Sequence, residues 1–226
     1  MKIITTGDQS HTIYSEEFQD TYHSTHGAIR ESKHVYIQQG FDYRIADCKE
    51  KTDNVTLRIL EVGFGTGLNV LLTLLETDRQ KVSVNYTTLE SSPLSLETIH
   101  GLNYADLLGC DCYQSYQTLH LCAWNEPHPI KNHFTFTKTR CSVLEYTAPD
   151  ETFDIIYFDA FSPTTQPELW TDKMMRKMFA FTAPKGILVS YCSKVSFQKS
   201  LQSAGFRIEK IPGPPGKREM IRAHKV

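Results

Sequence analysis

Residues 59–69 read Ile-Leu-Glu-Val-Gly-Phe-Gly-Thr-Gly-Leu-Asn, and this stretch decides the fold. A short apolar run ends at Glu61, and three glycines follow at alternate positions. Residues 68–75 are mostly apolar and long enough to form a buried helix. A strand, a glycine turn and a helix in this order are typical of the first unit of a nucleotide-binding α/β fold.

The spacing of the glycines distinguishes between two cofactor classes. A dinucleotide fingerprint needs G-x-G-x-x-G, but Leu68 occupies the position of its third glycine. The run of an acid followed by G-x-G-x-G resembles motif I of S-adenosylmethionine (SAM) methyltransferases. SAM carries an ammonium and a sulfonium but no pyrophosphate, so a carboxylate beside the turn suits it better than a bare helix N-terminus. A structural glycine loop in another α/β protein is the alternative, because short glycine motifs are common.

Length and composition bound the class of protein. A chain of 226 residues fits one domain, so we expect a single domain over 1–226, with residues 1–50 as an N-terminal extension packed on the core. Hydrophobic residues make up 40% and charged residues 22%, as in soluble globular proteins. No apolar run approaches the roughly 20 residues that span a membrane, and the N-terminus lacks a signal-peptide pattern. The sequence therefore predicts a cytoplasmic protein without a membrane partner.

The charge distribution and the cysteine spacing bear on whether the protein binds nucleic acid or a metal. The net charge of −2 provides no global field for a nucleic acid, but residues 207–226 hold six Lys or Arg against two Glu. We expect this segment to be a C-terminal strand and a basic tail, either solvated or contacting phosphate. The six cysteines form no C-x-x-C. Residues 101–133 are rich in Cys and His, but their spacings match no usual zinc site, so we predict no metal.

Periodicity and breakers predict alternating strands and helices, hence a mostly parallel sheet with helices on both faces. Ser15 is predicted to cap a helix that carries Phe18 and Tyr22, and 28–37 to form a second helix. Ser91 is expected to open another helix, and 101–133 to contain short helices and a loop. The remaining predicted strands are 57–62, 82–89, 133–139, 153–158, 186–191 and 206–210, and the remaining helices are 66–77, 167–181 and 197–204.

Two acidic residues stand where predicted strands end. Glu90 follows the second strand of the unit, at the position where NAD and SAM folds bind ribose hydroxyls. Asp159 follows the continuous apolar strand 153–158, and ligands of open α/β sheets bind at the carboxyl ends of the strands. A surface turn at Glu90 and a helix cap at Asp159 are the alternatives. The sequence favours a binding residue at the first position and a catalytic residue at the second.

Several separated stretches together resemble one family. They are LEVGFGTGLN at 60–69, YFDAFSPTTQPELW at 157–170, GPPGKREM at 213–220 and, at the N-terminus, SEEFQDTYHSTHGAIRESKHVYI at 15–37. They are similar to the tRNA wobble-uridine aminomethyl methyltransferases, the MnmD family that is equivalent to the N-terminal domain of bifunctional MnmC. The resemblance covers most of the chain and is weakest over 101–133.

The resemblance implies a Rossmann-like SAM methyltransferase. Its reaction is N-methylation of the aminomethyl group on the wobble uridine of tRNA, which gives 5-methylaminomethyl-2-thiouridine, and its partner is the anticodon stem-loop. Bifunctional members carry a further FAD oxidoreductase domain. Since the sequence stops at Val226, we expect that activity to be absent here and a separate FAD-dependent oxidoreductase to act upstream.

The family motifs also imply which residues bind. SAM is expected to contact the turn and its surroundings, at Glu61, Gly63, Phe64, Gly65, Thr66, Gly67, Asn69, Glu90, Ser91, Ser142 and Asp159. Many members have Gly-Asp where this chain has Cys141-Ser142, so Ser142 would replace a carboxylate that bonds the adenine amine. The substrate is expected to contact Phe161, Pro163, Lys217 and Arg218, the last two through anticodon phosphates.

Asp159 is the candidate general base. A primary amine must be neutral to accept a methyl group, and a carboxylate can orient it and take its proton. Two other functions stay open. The weak net charge is compatible with a SAM methyltransferase of a small molecule or a protein, and Ser142 at the adenine position is compatible with a non-catalytic SAM-fold module.

Overall fold

The computed structural model describes residues 1–49, 55–109 and 112–226. The last residue of the predicted N-terminal extension 1–50, the four residues after it and Cys110 lie outside the described residues. The described strands form a large mixed sheet and a small antiparallel one. The predicted α/β architecture with a mostly parallel central sheet is therefore confirmed.

The large sheet has the strand order β10-β11-β9-β8-β4-β5-β7-β6. Strands β9, β8, β4, β5 and β7 are parallel, whereas β10, β11 and β6 pair antiparallel at the two sides. Its strands are β4 (Thr56–Val62), β5 (Ser83–Leu89), β6 (Pro127–Lys131), β7 (Phe134–Thr139), β8 (Phe153–Phe158), β9 (Thr182–Ser190), β10 (Arg207–Pro212) and β11 (Glu219–His224).

Helices cover both faces of this sheet, and the sheet divides the core into two layers. One layer holds α3 (Leu68–Gln80) and a π-helix (Lys33–Asp42), and Tyr157 of β8 faces it. The other layer holds α7 (Asp172–Phe181) and α8 (Val195–Ala204), and Phe158 faces it. Successive residues of β8 thus point into different layers. Tyr157 and Phe158 are both fully buried, as expected for a central parallel strand.

The N-terminal segment departs from the prediction. Residues 15–24 are not a helix: β1 (Lys2–Thr5), β2 (His11–Ser15) and β3 (Asp20–Thr21) form the small sheet. Ser15 does accept the backbone N–H of Phe18, but this bond closes the turn of a hairpin instead of capping a helix. The helical prediction for 28–37 is confirmed by α1 (Ala28–Ser32) and the π-helix, which α2 (Tyr43–Lys49) follows.

The middle and the C-terminus also differ from expectation. Ser95, not Ser91, caps α4 (Leu96–His100), where its hydroxyl accepts the N–H of Thr98. Residues 101–133 contain the expected short helices α5 (Tyr104–Leu108) and α6 (Cys112–Leu121), together with the unpredicted β6. Residues 219–224 are no free tail: β11 inserts between β9 and β10, and Arg222 is buried against Glu209 at 2.9 Å. None of the described helices is long and apolar enough to cross a membrane.

Candidate active site

A cavity of about 820 Å³ opens at the carboxyl ends of β4, β5 and β8. Its walls include the hairpin of the small sheet, the glycine turn, the segments after β5, β7, β8 and β9, Glu31 of α1 and the turn before β11. The N-terminal extension therefore forms one side of the cavity and does not merely cover the core.

The glycine turn has the backbone that its sequence predicts. Gly63 and Gly65 have φ values of +95° and +49°, which L side chains rarely adopt. A Cβ at Gly63 would lie 2.8 Å from the carbonyl oxygen of Asp159, so the turn and the end of β8 approach closely. Gly63, Phe64, Gly65 and Thr66 line the cavity.

Gly67 does not line the cavity, in contrast to the prediction. It caps α3 with φ +73°, and a Cβ there would lie 2.7 Å from Nε2 of His120. The third glycine therefore permits packing between the turn and α6. Asn69, in the first turn of α3, does line the cavity.

Glu90 lies at the end of β5, as predicted, and joins two loops. Its Oε2 accepts the backbone N–H of Gly65 at 3.0 Å, and its Oε1 accepts the N–H of Ser92 at 2.8 Å. Glu90 and Ser91 both line the cavity. Each carboxylate oxygen keeps one lone pair, so Glu90 can still accept from two vicinal hydroxyls of a ligand.

Asp159 is fixed by two donors. The hydroxyl of Tyr36 donates to Oδ1 at 2.5 Å, and the amide of Asn69 donates to Oδ2 at 2.7 Å. Burial raises the pKa of Asp159 to about 6, although both hydrogen bonds favour the charged carboxylate. The carboxylate lines the cavity beside the glycine turn, so it can accept a proton near neutral pH.

Glu61 is placed differently from the prediction. It is fully buried inside β4, outside the cavity lining, and its Oε2 accepts the hydroxyl of Thr88 at 2.7 Å. Burial raises the pKa of Glu61 to about 8, so the side chain is mostly protonated at neutral pH. The acid of the glycine motif thus lies beneath the turn, away from the cavity lining, and is mostly neutral.

The other predicted residues divide into two groups. Ser142 and Phe161 line the cavity, and Phe161 packs on Phe18 with ring centroids 4.5 Å apart. Pro163 is not among the lining residues, although its neighbours Ser162 and Thr164 are.

The predicted pair Lys217 and Arg218 points in two directions. Lys217 lines the cavity, donates to Glu31 at 2.6 Å and lies 3.9 Å from the ring centre of Tyr191. Arg218 is exposed and lies outside the cavity lining. Lys217 therefore fixes the turn to the body of the protein, so it is not a free phosphate contact.

Sequence reasoning missed several residues of the site. Glu31 of α1 lines the cavity and accepts the N–H of Ser24 at 2.8 Å, whereas Tyr36 of the π-helix bonds Asp159 from outside the cavity lining. His23 lines the cavity and bonds the hydroxyl of Thr66 at 2.7 Å, and burial lowers its pKa to about 4, so it is neutral. All lie within the segment 15–37, but only contacts distant in sequence bring them to the site.

The residues present fit SAM. The turn exposes backbone where a Cβ would clash or strain, Glu90 offers acceptors for a pair of hydroxyls, and the lining is acidic, which suits a sulfonium and an ammonium. The acidic lining side chains are Asp20, Glu31, Glu90, Asp159 and Glu168, and the basic one is Lys217.

Comparisons with known proteins find similarity to methyltransferases. Residues 130–226 match a family described as S-adenosyl-L-methionine-dependent methyltransferase. The tRNA 5-methylaminomethyl-2-thiouridine biosynthesis bifunctional protein MnmC of Leptospira interrogans is 29% identical over 229 residues, which cover 93% of this chain and 33% of the relative. MnmC of Methylobacillus flagellatus is 25% identical over 223 residues, which cover 92% and 33%. The chain spans about one third of the length of these curated relatives.

A solved structure extends the similarity to the whole fold. The crystal structure of MnmC2 from Aquifex aeolicus superposes with a TM-score of 0.75 at 26% identity and covers 98% of this chain and 69% of that one. Its match includes the N-terminal segment and the glycine turn, which lie before the residues of the family match. In sequence and fold, the chain is similar to MnmC and MnmC2, and its residues 130–226 match the SAM-dependent methyltransferase family.

Proposed function

We propose that the protein methylates the primary amine of the aminomethyl group on the wobble uridine of tRNA and so forms 5-methylaminomethyl-2-thiouridine. SAM supplies the methyl group when it is bound. The observation that carries the proposal is Asp159, a half-buried carboxylate that lines the cavity beside the glycine turn and can accept a proton near neutral pH. The modified nucleoside is the one after which the MnmC relatives are named.

The cavity residues suggest how SAM is held. The backbone of Gly63 to Thr66 and the side chain of Asn69 would contact the amino-acid part, and Glu90 would accept from the ribose hydroxyls. Ser91 and Ser142 lie farther along the same rim, after β5 and β7, where they would contact the adenine. Glu61 and Gly67 act from beneath the turn and touch no ligand in this proposal.

Asp159 would prepare the acceptor. An alkyl amine reaches the site largely protonated, and an ammonium has no lone pair with which to attack. Asp159 accepts the proton of the amine, directly or through water, and Tyr36 and Asn69 keep the carboxylate in one orientation while it does so. Most of the remaining rate enhancement would come from holding the amine in line with the methyl group.

The charge of the cavity supports a cationic acceptor. Carboxylates outnumber basic groups along its lining, and Lys217 is already paired with Glu31. Such a cavity attracts an ammonium and repels a phosphate or a carboxylate. The phosphates of tRNA would therefore stay outside, where exposed Arg218 is available for a contact at the anticodon.

The proposal also requires an earlier reaction on the same tRNA and implies a cellular compartment. The acceptor must already carry an aminomethyl group, so another activity has to supply it, and an FAD-dependent oxidoreductase would do so. Since tRNA is the proposed substrate, we place the enzyme in the cytoplasm.

Nucleoside mass spectrometry tests the proposal. Purified protein is incubated with SAM and with tRNA that carries 5-aminomethyl-2-thiouridine, and the RNA is digested to nucleosides. The expected result is loss of the aminomethyl nucleoside and gain of one that is heavier by CH2, because a methyl group replaces a hydrogen. SAM binding without any transfer would instead indicate a binding module, and transfer only to small molecules or proteins would indicate another acceptor.

A further inference from the structure

Three aromatic side chains form one continuous wall of the cavity. Phe18 and Tyr22 come from the N-terminal hairpin, and Phe161 comes from the segment after β8. The ring centroid of Phe161 lies 4.5 Å from that of Phe18 and 4.9 Å from that of Tyr22, the latter in an edge-on arrangement. All three rings are only partly buried, so part of each faces the cavity.

This aromatic wall, Phe18, Tyr22 and Phe161, lies beside both the glycine turn and Asp159. The ring of Tyr22 covers Gly65, since a Cβ at that glycine would lie 3.1 Å from Cδ1 of Tyr22. Phe161 follows Asp159 by two residues in the chain. A planar group resting on the wall would therefore lie beside both the glycine turn and the proposed base.

The hairpin that carries two of these rings is anchored along its second strand. Asp20 accepts the hydroxyl of Thr165 at 3.2 Å, and His23 bonds Thr66 at 2.7 Å. Tyr22 donates its backbone N–H to Ile13 at 2.9 Å. The rings are thus held before any ligand arrives, and little conformational entropy would be lost when a ligand binds to them.

Partly exposed aromatic rings inside an acidic cavity need a partner that is planar and apolar on its faces. Unstacked RNA bases have such faces and stack on Phe and Tyr side chains. The polar edge of a base can at the same time point an amine substituent towards Asp159, because the wall and the carboxylate share one cavity.

We propose that the aromatic wall is the stacking site for the acceptor base, and that Phe18 of the N-terminal hairpin contributes to it directly. This inference rests on the proposed function, since it takes the acceptor to be a base turned out of an RNA loop. It assigns a substrate-binding task to the N-terminal hairpin.

The test asks whether the contribution of the wobble base to RNA binding depends on the Phe18 ring. An anticodon stem-loop RNA with the aminomethylated wobble base is compared with the same RNA lacking that base, and binding of each is measured for the wild type and for Phe18→Leu. The wild type is expected to prefer the RNA with the base by about fivefold to 100-fold, which is the value of one base–aromatic stack. Phe18→Leu should lose most of this preference, while SAM affinity stays unchanged.

Two control variants separate stacking from folding. Phe18→Tyr keeps the ring and should keep the preference, whereas Tyr14→Leu removes an aromatic ring from the same hairpin but outside the cavity lining and should also keep it. The inference is overturned if Phe18→Leu retains the full preference for the base. The proposed function fails separately, if wild-type protein does not methylate the aminomethylated RNA at all.

Discussion

Glu61 and Asp159 lie on neighbouring parallel strands and have opposite environments. Glu61 pairs in register with Tyr157, so Asp159 is two residues farther along and on the same face of the sheet. At about 3.3 Å per residue, this offset moves a carboxyl group by about 7 Å, from inside the sheet to the cavity. Glu61 is fully buried beneath the turn, and Asp159 lines the cavity.

The position of an acid along its strand therefore decides whether its carboxyl group is buried in the sheet or lies at the cavity. Burial raises the pKa of both carboxyls, to about 8 for Glu61 and to about 6 for Asp159. Asp159 has two donors that stabilise its charge, whereas Oε1 of Glu61 has no hydrogen-bond partner among the described residues. At neutral pH Asp159 is therefore mostly ionised, and Glu61 is mostly neutral.

The largest effect is expected from Asp159→Asn. The amide keeps the size of the side chain but cannot take a proton from the amine, so methyl transfer should slow by about 100-fold to 10,000-fold. Single-turnover kinetics with aminomethylated tRNA would measure this loss, with SAM affinity as the control for an intact site. Near-normal turnover would remove Asp159 from the reaction.

Tyr36→Phe should have a smaller and more specific effect. The hydroxyl of Tyr36 stabilises charged Asp159, so its removal should raise the pKa of Asp159. The acid limb of kcat/KM, which for the wild type is expected near the Asp159 pKa of about 6, should move to higher pH by about one to two units.

A matched variant controls for the loss of a buried hydroxyl. Tyr157→Phe removes one from the same core layer, but that hydroxyl lies near Thr73 and makes no bond to Asp159. The acid limb should stay in place in this variant. If both variants shift it equally, the shift does not report on the bond between Tyr36 and Asp159.

The smallest effect on activity is expected from Glu61→Gln, because an amide resembles the neutral acid. SAM affinity at neutral pH should therefore be unchanged in isothermal titration. A loss of about tenfold or more would show that Glu61 contacts SAM as a carboxylate, as its place in the glycine motif suggested.

The same variant should change the pH dependence of stability. Glu61 has a higher pKa in the folded protein than its usual 4.5, so the folded state binds more protons than the unfolded state up to pH about 8. As the pH rises from about 4.5 to about 8, the wild type should therefore lose up to about 1.4 kcal/mol of unfolding free energy per pH unit, relative to Glu61→Gln. Urea unfolding of both proteins at several pH values would measure the difference.

Much of the fold could be predicted because its signals are contiguous. The run at 59–69 contains a strand, a turn and the start of a helix in order, and Glu90 and Asp159 directly follow predicted strands. Parallel strands bring their carboxyl ends to one edge, so the sequence placed these two acids at one site.

The N-terminal segment shows why the rest could not be predicted. Phe18 and Tyr22 have the spacing of one helix face, and Ser15 has the chemistry of a helix cap. The structure uses the same features in a hairpin: the serine hydroxyl closes the turn, and the two rings reach Phe161 and Gly65. Those partners lie far along the chain, and local periodicity contains no information about them.

By itself, the sequence determined the α/β fold, the SAM-type glycine turn and two of the acids at the cavity, because each depends on neighbouring residues. Tertiary structure alone decided that Glu61 is buried, that Lys217 pairs with Glu31, and that the N-terminal hairpin forms a wall of the site. Strand register and contacts between distant segments set these features. The glycine motif therefore indicated where the cavity lies, but the fold decided which carboxyl groups line it.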